Sequence, residues 1–190
     1  MNIVYQIRPV RSGNKFPDDI NLSELENKIQ GSFKIKGEKV IDGYFDEESE
    51  YYPKNLLFFI FARNKKNDGL IGGVVATSEE INDFKFTYYD KIFVIPEYQG
   101  NGIGKSLLNI ARKIGDNKEI LPSILRTSDE KLSERYEELS DKKMKADSYH
   151  VHGFGFYDKK TKKPKFENAA EVFKKTAKYA ADKPSTVTYI

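Results

Sequence analysis

Ile92-Phe-Val-Ile-Pro-Glu-Tyr-Gln-Gly-Asn-Gly-Ile-Gly-Lys105 is the stretch on which the reading of this chain turns. An apolar, strand-like run ends at Pro96, and Gly100, Gly102 and Gly104 follow before a helical period begins. Glycine adopts torsions that a β-carbon forbids and lets a ligand approach the main chain closely. The opening N–H groups of the following helix lie outside its own ladder, at the positive end of the helix dipole. Together these features describe an anion site suited to a phosphate or pyrophosphate. The spacing is neither G-x-G-x-x-G opening a βαβ unit nor G-x-x-x-x-G-K-[ST], so two common nucleotide sites are excluded. The competing reading is a tight strand-to-helix turn with no ligand. An exposed turn of this kind is expected to accept a bulky side chain at Gly102 without loss of fold.

Downstream of the turn, Ile103, Leu107, Ile110, Ala111 and Ile114 fall on one face of a helix. Upstream, Asn55 to Ala62 is almost wholly apolar, as a strand buried on both faces would be. Asn67-Asp68-Gly69 gives a turn, Leu70 to Ala76 a second strand and Phe84 to Ile95 a third, an antiparallel meander. Gly72 and Gly73 weaken a strand interior unless something comes close to the backbone there. At the N-terminus, residues 1–8 alternate like a strand, and a loop through Gly13 and Pro17 leads to a short helix. Asn21 caps it with Glu24 in capping-box position, Leu22, Leu25 and Ile29 share a face, and Gly31 is placed to end it. Asp42 to Glu50 reads as an acidic loop closed by Pro53. Towards the C-terminus come a strand at Pro122 to Arg126 and a helix at Asp129 to Leu139 with Leu132, Tyr136 and Leu139 on one side. An extended stretch from Ser148 to Tyr157, a lysine-rich loop, a helix over about 166–181 and a strand at Ser185 to Ile190 complete the chain. The sum is an α+β (mixed α/β) domain, a mostly antiparallel sheet flanked by helices.

Composition narrows the function. Hydrophobic residues make up 38% of 190 residues, enough for a core and too many for a disordered chain. Cysteine is absent, which excludes disulfides, thiolate nucleophiles and cysteine-ligated metals. The longest apolar run, Leu56 to Ala62, is far shorter than a membrane helix, and the N-terminus lacks the shape of a signal peptide. A cytoplasmic protein is expected. Charge is uneven: residues 1–140 carry 20 Lys/Arg against 23 Asp/Glu, and residues 141–190 carry 12 against 6. A basic C-terminal third suits an acidic or phosphate-rich partner, or it is simply a solvated face.

The decisive segment resembles the acyl-CoA-binding motif of the GNAT (GCN5-related N-acetyltransferase) family, a strand ending V-x-P-x-[Y/F] followed by [Q/R]-x-x-G-x-[G/A]. It stands here as Val94-Ile-Pro96-Glu-Tyr98 and Gln99-Gly-Asn-Gly102-Ile-Gly104, with every position filled. A second match follows. The family's N-x-x-A-x-x-x-Y-x-x-x-G-F is similar to the run from Asp129 through Leu132 and Tyr136 to Ser140-Asp141, with the tyrosine in register. Asp replaces the usual Asn, Leu the Ala and Ser-Asp the Gly-Phe. The resemblance covers residues 55–157 best and implies one GNAT domain over 1–190 with an extra helix before the last strand. It further implies acetyl-CoA as co-substrate, no metal, and transfer of the acetyl group to a primary amine by direct attack in a ternary complex. Gln99, Gly100, Asn101, Gly102, Ile103, Gly104 and Lys105 would hold the pyrophosphate. The backbone at Phe93 and Val94, with Asp129, would contact the pantetheine arm. Tyr136 would protonate the leaving thiolate, and Asp90, sharing a strand face with Ile92 and Val94, would take the amine proton.

Each assignment has a plainer rival. Tyr136 also reads as a core tyrosine of an amphipathic helix, and Asp90 as an ordinary polar residue where the strand leaves solvent. His150 and His152, the only histidines, share one strand face; no third ligand is evident beside them, and either could act as a base or hold the acceptor. Lysines 159, 160, 162, 163 and 165 surround Pro164 in an exposed loop without a nucleic-acid-binding module. Non-catalytic CoA binding, or nucleic-acid binding by the basic third, are the alternatives. The acceptor is left open between a small molecule (amino acid, polyamine, aminoglycoside) and a protein amine. Monomer and homodimer both fit, the closing strand offering an edge to a second subunit.

Overall fold

The computed structural model describes the chain except residues 1, 11–14, 17–19, 35–37, 41–47, 49–51, 118–121, 184–186 and 190. The elements run β1 (Ile3–Pro9), α1 (Leu22–Lys34), β2 (Glu38–Val40), β3 (Leu56–Asn64), β4 (Leu70–Ile81), β5 (Phe84–Val94), α2 (Ile103–Asn117), β6 (Ser123–Thr127), α3 (Glu130–Glu137), β7 (Lys142–Ala146), β8 (Tyr149–Phe154), α4 (Ala169–Asp182) and β9 (Val187–Tyr189). Seven strands form one sheet in the order β1-β3-β4-β5-β6-β8-β7, while β2 and β9 pair separately. The pairs β1/β3, β3/β4, β6/β8 and β7/β8 are antiparallel; β5/β6 is parallel, through Thr87↔Ser123 and Tyr88↔Ile124. The fold is α+β, as the sequence pattern requires.

By contacts the chain divides into two compact units: Met1–Thr77 with Asp90–Ala111 and Ser185–Ile190, and Ser78–Tyr89 with Arg112–Pro184. In the first, β3 is buried along nearly its whole length, as its continuous apolar run demands. Phe59 and Phe61 stack at 5.9 Å, and Phe16, Leu25, Ile29, Tyr52, Val75 and Phe93 pack in the same cluster. Asn21 caps α1 through its Oδ1, which accepts the Glu24 N–H at 3.0 Å. The two glycines of β4 are sterically obligatory. A β-carbon at Gly72 would lie 2.6 Å from the Phe93 carbonyl oxygen, and one at Gly73 2.9 Å from the Ile60 carbonyl oxygen and from the Phe93 ring. What approaches the backbone is therefore strand and aromatic core.

In the second unit, Asn82 and Asp83 form the two-residue turn between β4 and β5, with φ of 48° and 62°. Asn and Asp tolerate this left-handed region, which matches the twist of a tight hairpin. Phe86, Tyr88, Ile124, Val151, Phe156, Phe173, Ala177 and Ala180 make its core. Two polar anchors fix α4. Glu79 accepts from the Tyr179 hydroxyl at 2.7 Å and pairs with Lys183 at 2.5 Å. Arg126 donates to the carbonyls of Ala180, Ala181 and Lys183, placing a cation where the helix dipole is negative.

Two boundaries need correction, and two details of pairing are added. Helix α1 passes through Gly31 and stops at Lys34. The stretch before and through Ser148 is a hairpin, β7 and β8, turning at Asp147 with φ 52°. Helix α4 begins at Ala169, because Asn168 before it sits in the left-handed region. The closing strand pairs in-chain, Val187 with Val40 through Tyr189 with Glu38. The loop through Gly13 and Pro17 and most of Asp42–Glu50 lie outside the described residues. No helix among the described residues is long and apolar enough to cross a membrane.

Candidate functional site

In the first unit, β5 ends at Val94, and Pro96–Tyr98 make one 3-10 turn before the glycines. Proline suits that place: its fixed φ is preorganised for a helical turn and its missing N–H is not required there. The turn is pinned by its own side chains. Gln99 donates its Nε2 to the Val94 carbonyl at 2.9 Å, and Asn101 donates its Nδ2 to the carbonyls of Tyr98 and Gln99 at 3.2 Å each. Asn64 donates to the Tyr98 hydroxyl at 3.3 Å. Gly100 and Gly102 have φ of +80° and +74°, and nothing lies within 4 Å of where their β-carbons would be.

The first bond of the α2 ladder runs from the Ser106 N–H to the Gly102 carbonyl at 3.0 Å. The N–H groups of Ile103 and Gly104 therefore precede the ladder, at the positive end of the dipole. Ile103 is buried and anchors the helix start. The exposed glycines, by contrast, leave bare main chain beside the helix start, where an anion is favoured. Gly102 lies in open space, but its φ strains any other residue, so a bulky substitution there has room and still costs backbone strain.

Asp90, on the same strand, is partly buried on the face of Ile92 and Val94, with its carboxylate 3.9 Å from the Lys91 ammonium. Phe93 points the other way, into the core.

The remaining sequence-selected residues lie in the second unit. Asp129 is the N-cap of α3, its Oδ1 accepting the Leu132 N–H at 2.8 Å. Tyr136, on that helix, has its phenol pushed up to about 12, chiefly by burial and then by the nearby Asp129 carboxylate. Its ring meets the His152 imidazole edge-on at 5.8 Å. Ser140 and Asp141, where the family has Gly-Phe, both have structural work. Ser140 donates to the Glu137 carbonyl at 3.3 Å, and Asp141 accepts the Gly155 N–H at 2.5 Å.

Sequence reasoning treated the two histidines alike and passed over Ser133. The structure separates the histidines. His152 is fully buried, with Ser133 Oγ 3.0 Å from Nε2 and Ser140 Oγ 3.4 Å from Nδ1. Its pKa is lowered to about 4, mainly by burial and then by Lys143. It is neutral at physiological pH. His150 is only partly buried, and its Nδ1 has no hydrogen-bond partner among the described residues. Among those residues no group of three His, Asp or Glu side chains gathers as metal ligands.

A strand, a bare glycine turn and a helix start are the parts the motif at residues 94–104 predicts, and the family comparison agrees with that motif. Residues 54–154, more than half the chain, match the acetyltransferase (GNAT) domain family, and the chain belongs to that family. Among solved structures it is similar to the PaiA N-acetyltransferase of Thermoplasma acidophilum in complex with coenzyme A. Identity there is 20%, the TM-score is 0.55, and 81% of this chain and 99% of that one are covered. It is also similar to Arabidopsis thaliana NAA60 in complex with a bisubstrate analogue, at 17% identity and TM-score 0.55 over 80% of this chain and 97% of that one. An aminoglycoside acetyltransferase from an uncultured soil metagenomic sample aligns at 13% identity and TM-score 0.53, covering 76% and 95%. At these identities the likeness shows the fold. No curated protein matches the chain significantly.

Proposed function

We propose that the chain is an acetyl-CoA-dependent N-acetyltransferase that moves an acetyl group to a primary amine by direct attack in a ternary complex. The observation that carries this reading is the turn at residues 99–105: two glycines at positive φ with open space beyond them, at the start of a helix. Membership of the GNAT family supports it. Bound acetyl-CoA supplies the activated thioester. Main-chain N–H groups of the turn hold the pyrophosphate, where they meet negative charge at a helix N-terminus. The backbone of Phe93 and Val94 aligns the pantetheine arm; the Val94 carbonyl already holds the Gln99 side chain, and its second lone pair is the one to be used.

Tyr136 is the acid. At neutral pH a phenol raised to about 12 carries its proton and can donate it. Asp90 receives the proton the amine loses. The acceptor is a small molecule or a protein amine, and a cytoplasmic setting fits both.

A thermal-shift titration with acetyl-CoA, on the wild type and on Gly104→Glu, tests the cofactor site. Gly104 is helical, with only Val94 Cγ2 near its missing β-carbon, at 3.8 Å, so the variant folds while placing a carboxylate at the anion site. A shift in the wild type that the variant loses supports the reading. No shift in the wild type removes its foundation.

A further inference from the structure

Helix α3 has eight residues, too few to be stable in water alone, so its position depends on what it docks against. Amphipathic helices normally dock through an apolar stripe, but here the one fully buried residue of the helix is Ser133. Its hydroxyl lies 3.0 Å from Nε2 of the equally buried His152 on β8. One self-consistent arrangement has the Ser140 hydroxyl donate to the Glu137 carbonyl and accept from His152 Nδ1–H, with Nε2 accepting from Ser133; the opposite tautomer joins the same three side chains. One neutral imidazole thus grips α3 within its last turns and just beyond its end, on either side of Tyr136. The same ring packs against the phenol at 72°. Among the described residues the charged and titratable groups acting on His152 are Lys143, Glu137 and His150, with Lys143 and Glu137 paired at 2.7 Å.

We propose that His152, through Ser133 and Ser140, is a positioning residue that holds helix α3 and aims the Tyr136 hydroxyl. The catalytic half of this inference rests on the reading of Tyr136 as the acid; the positioning half does not. A hydrogen bond between two groups with no exposed surface is costly to leave half-made and directional when intact. It fixes helix rotation more tightly than the sparse apolar contacts of α3 would, and a phenol that must meet a sulfur atom is sensitive to ångström-scale displacement.

The test uses Ser133→Ala in the full chain, with tyrosines labelled by 13C at Cζ and the Tyr136 resonance assigned by its loss in Tyr136→Phe. With a wild-type circular dichroism spectrum, Ser133→Ala is expected to move or broaden the Tyr136 signal. An unchanged signal overturns the proposal, whatever the enzyme does. In acetyl transfer, kcat should fall about 10–100-fold with KM for acetyl-CoA within about twofold, and Ser133→Ala added to Tyr136→Phe should cost nothing further. An undiminished second loss in the double variant assigns Ser133 a merely structural part and overturns the catalytic half. If Tyr136→Phe alone leaves kcat intact, the acid role falls, and the labelled signal still decides the positioning. Should Ser133→Ala fail to fold, Ser140→Ala removes the longer link: a smaller change of the Tyr136 signal supports the proposal, and no change overturns it.

Discussion

Two glycines two residues apart are expected to respond to the same substitution with opposite signs. Gly102 has φ +74°, and Gly104 sits in the first turn of α2 with ordinary helical torsion. Alanine at 102 meets no atom within 4 Å, so its cost is backbone strain alone, about 1–2 kcal/mol for the left-handed region. Reduced freedom of the unfolded chain offsets about 0.4–1 kcal/mol, leaving a net loss near 1 kcal/mol. Alanine at 104 has 3.8 Å of clearance to Val94 Cγ2 and gains helix propensity, about 0.5 kcal/mol so close to the helix start. With a urea slope of about 2 kcal/mol/M, the midpoint should fall by roughly 0.5 M for Gly102→Ala and rise by roughly 0.25 M for Gly104→Ala. Calorimetric titration with acetyl-CoA should separate them again. The methyl at 102 covers main chain proposed to meet the pyrophosphate and weakens binding about tenfold or more, while Gly104→Ala binds as the wild type does. Midpoints moving in the same direction, or wild-type affinity in Gly102→Ala, would refute the reasoning.

Other consequences follow from the same geometry. Gly72→Ala drives a β-carbon to 2.6 Å from the Phe93 carbonyl oxygen, so the strand must shift. A loss of about 1–3 kcal/mol is expected, seen as a melting temperature lower by several degrees; a stability at or above wild type would contradict it. Tyr136→Phe should lower kcat by about 10²–10⁴ with little effect on KM for acetyl-CoA, as loss of a general acid does. The wild-type rate should show no basic limb from this phenol below its midpoint of about 12. His152 binds a proton at about 4 when folded and at 6.5 when unfolded, so the unfolded state takes up more protons between these values and stability falls as pH drops through that window. The full effect is at most about 3 kcal/mol. Asp141, raised by burial, pulls the other way at the acid end, so the slope is read as the difference between wild type and His152→Gln in urea titrations. Equal slopes would contradict a buried neutral imidazole.

The fold was legible where the sequence pattern was dense. The apolar run at Leu56–Ala62, the glycine turn and the Ile103 helix each combine periodicity with punctuation, and all three appear where expected. Strand β7, Lys-Lys-Met-Lys-Ala, was invisible because an edge strand faces solvent on its outer side and is written in lysine rather than in apolar residues. Gly31 misled because a glycine inside a helix costs only about 1 kcal/mol, which the buried Leu25 and Ile29 of α1 outweigh. The pairing of β9 with β2 joins segments about 150 residues apart, beyond any local signal. Within the candidate site, the turn could be read because glycine spacing encodes torsion directly. The Ser133–His152 contact could not. A serine on a polar helix has no distinguishing neighbours in sequence, and its burial is decided by a strand 19 residues further on.

Acetyl transfer to an amine is the centre of the account, and amine-dependent thiol release from acetyl-CoA measures it most directly. The assay presents the wild-type chain and Tyr136→Phe with a panel of primary amines: amino acids, polyamines, aminoglycosides and peptides with free N-termini or lysines. The account predicts stoichiometric thiol release with at least one class, lowered by about 10²–10⁴ in the variant. Acetyl-CoA that binds, yet releases no thiol with any amine, would contradict it and leave a CoA-binding module without catalysis.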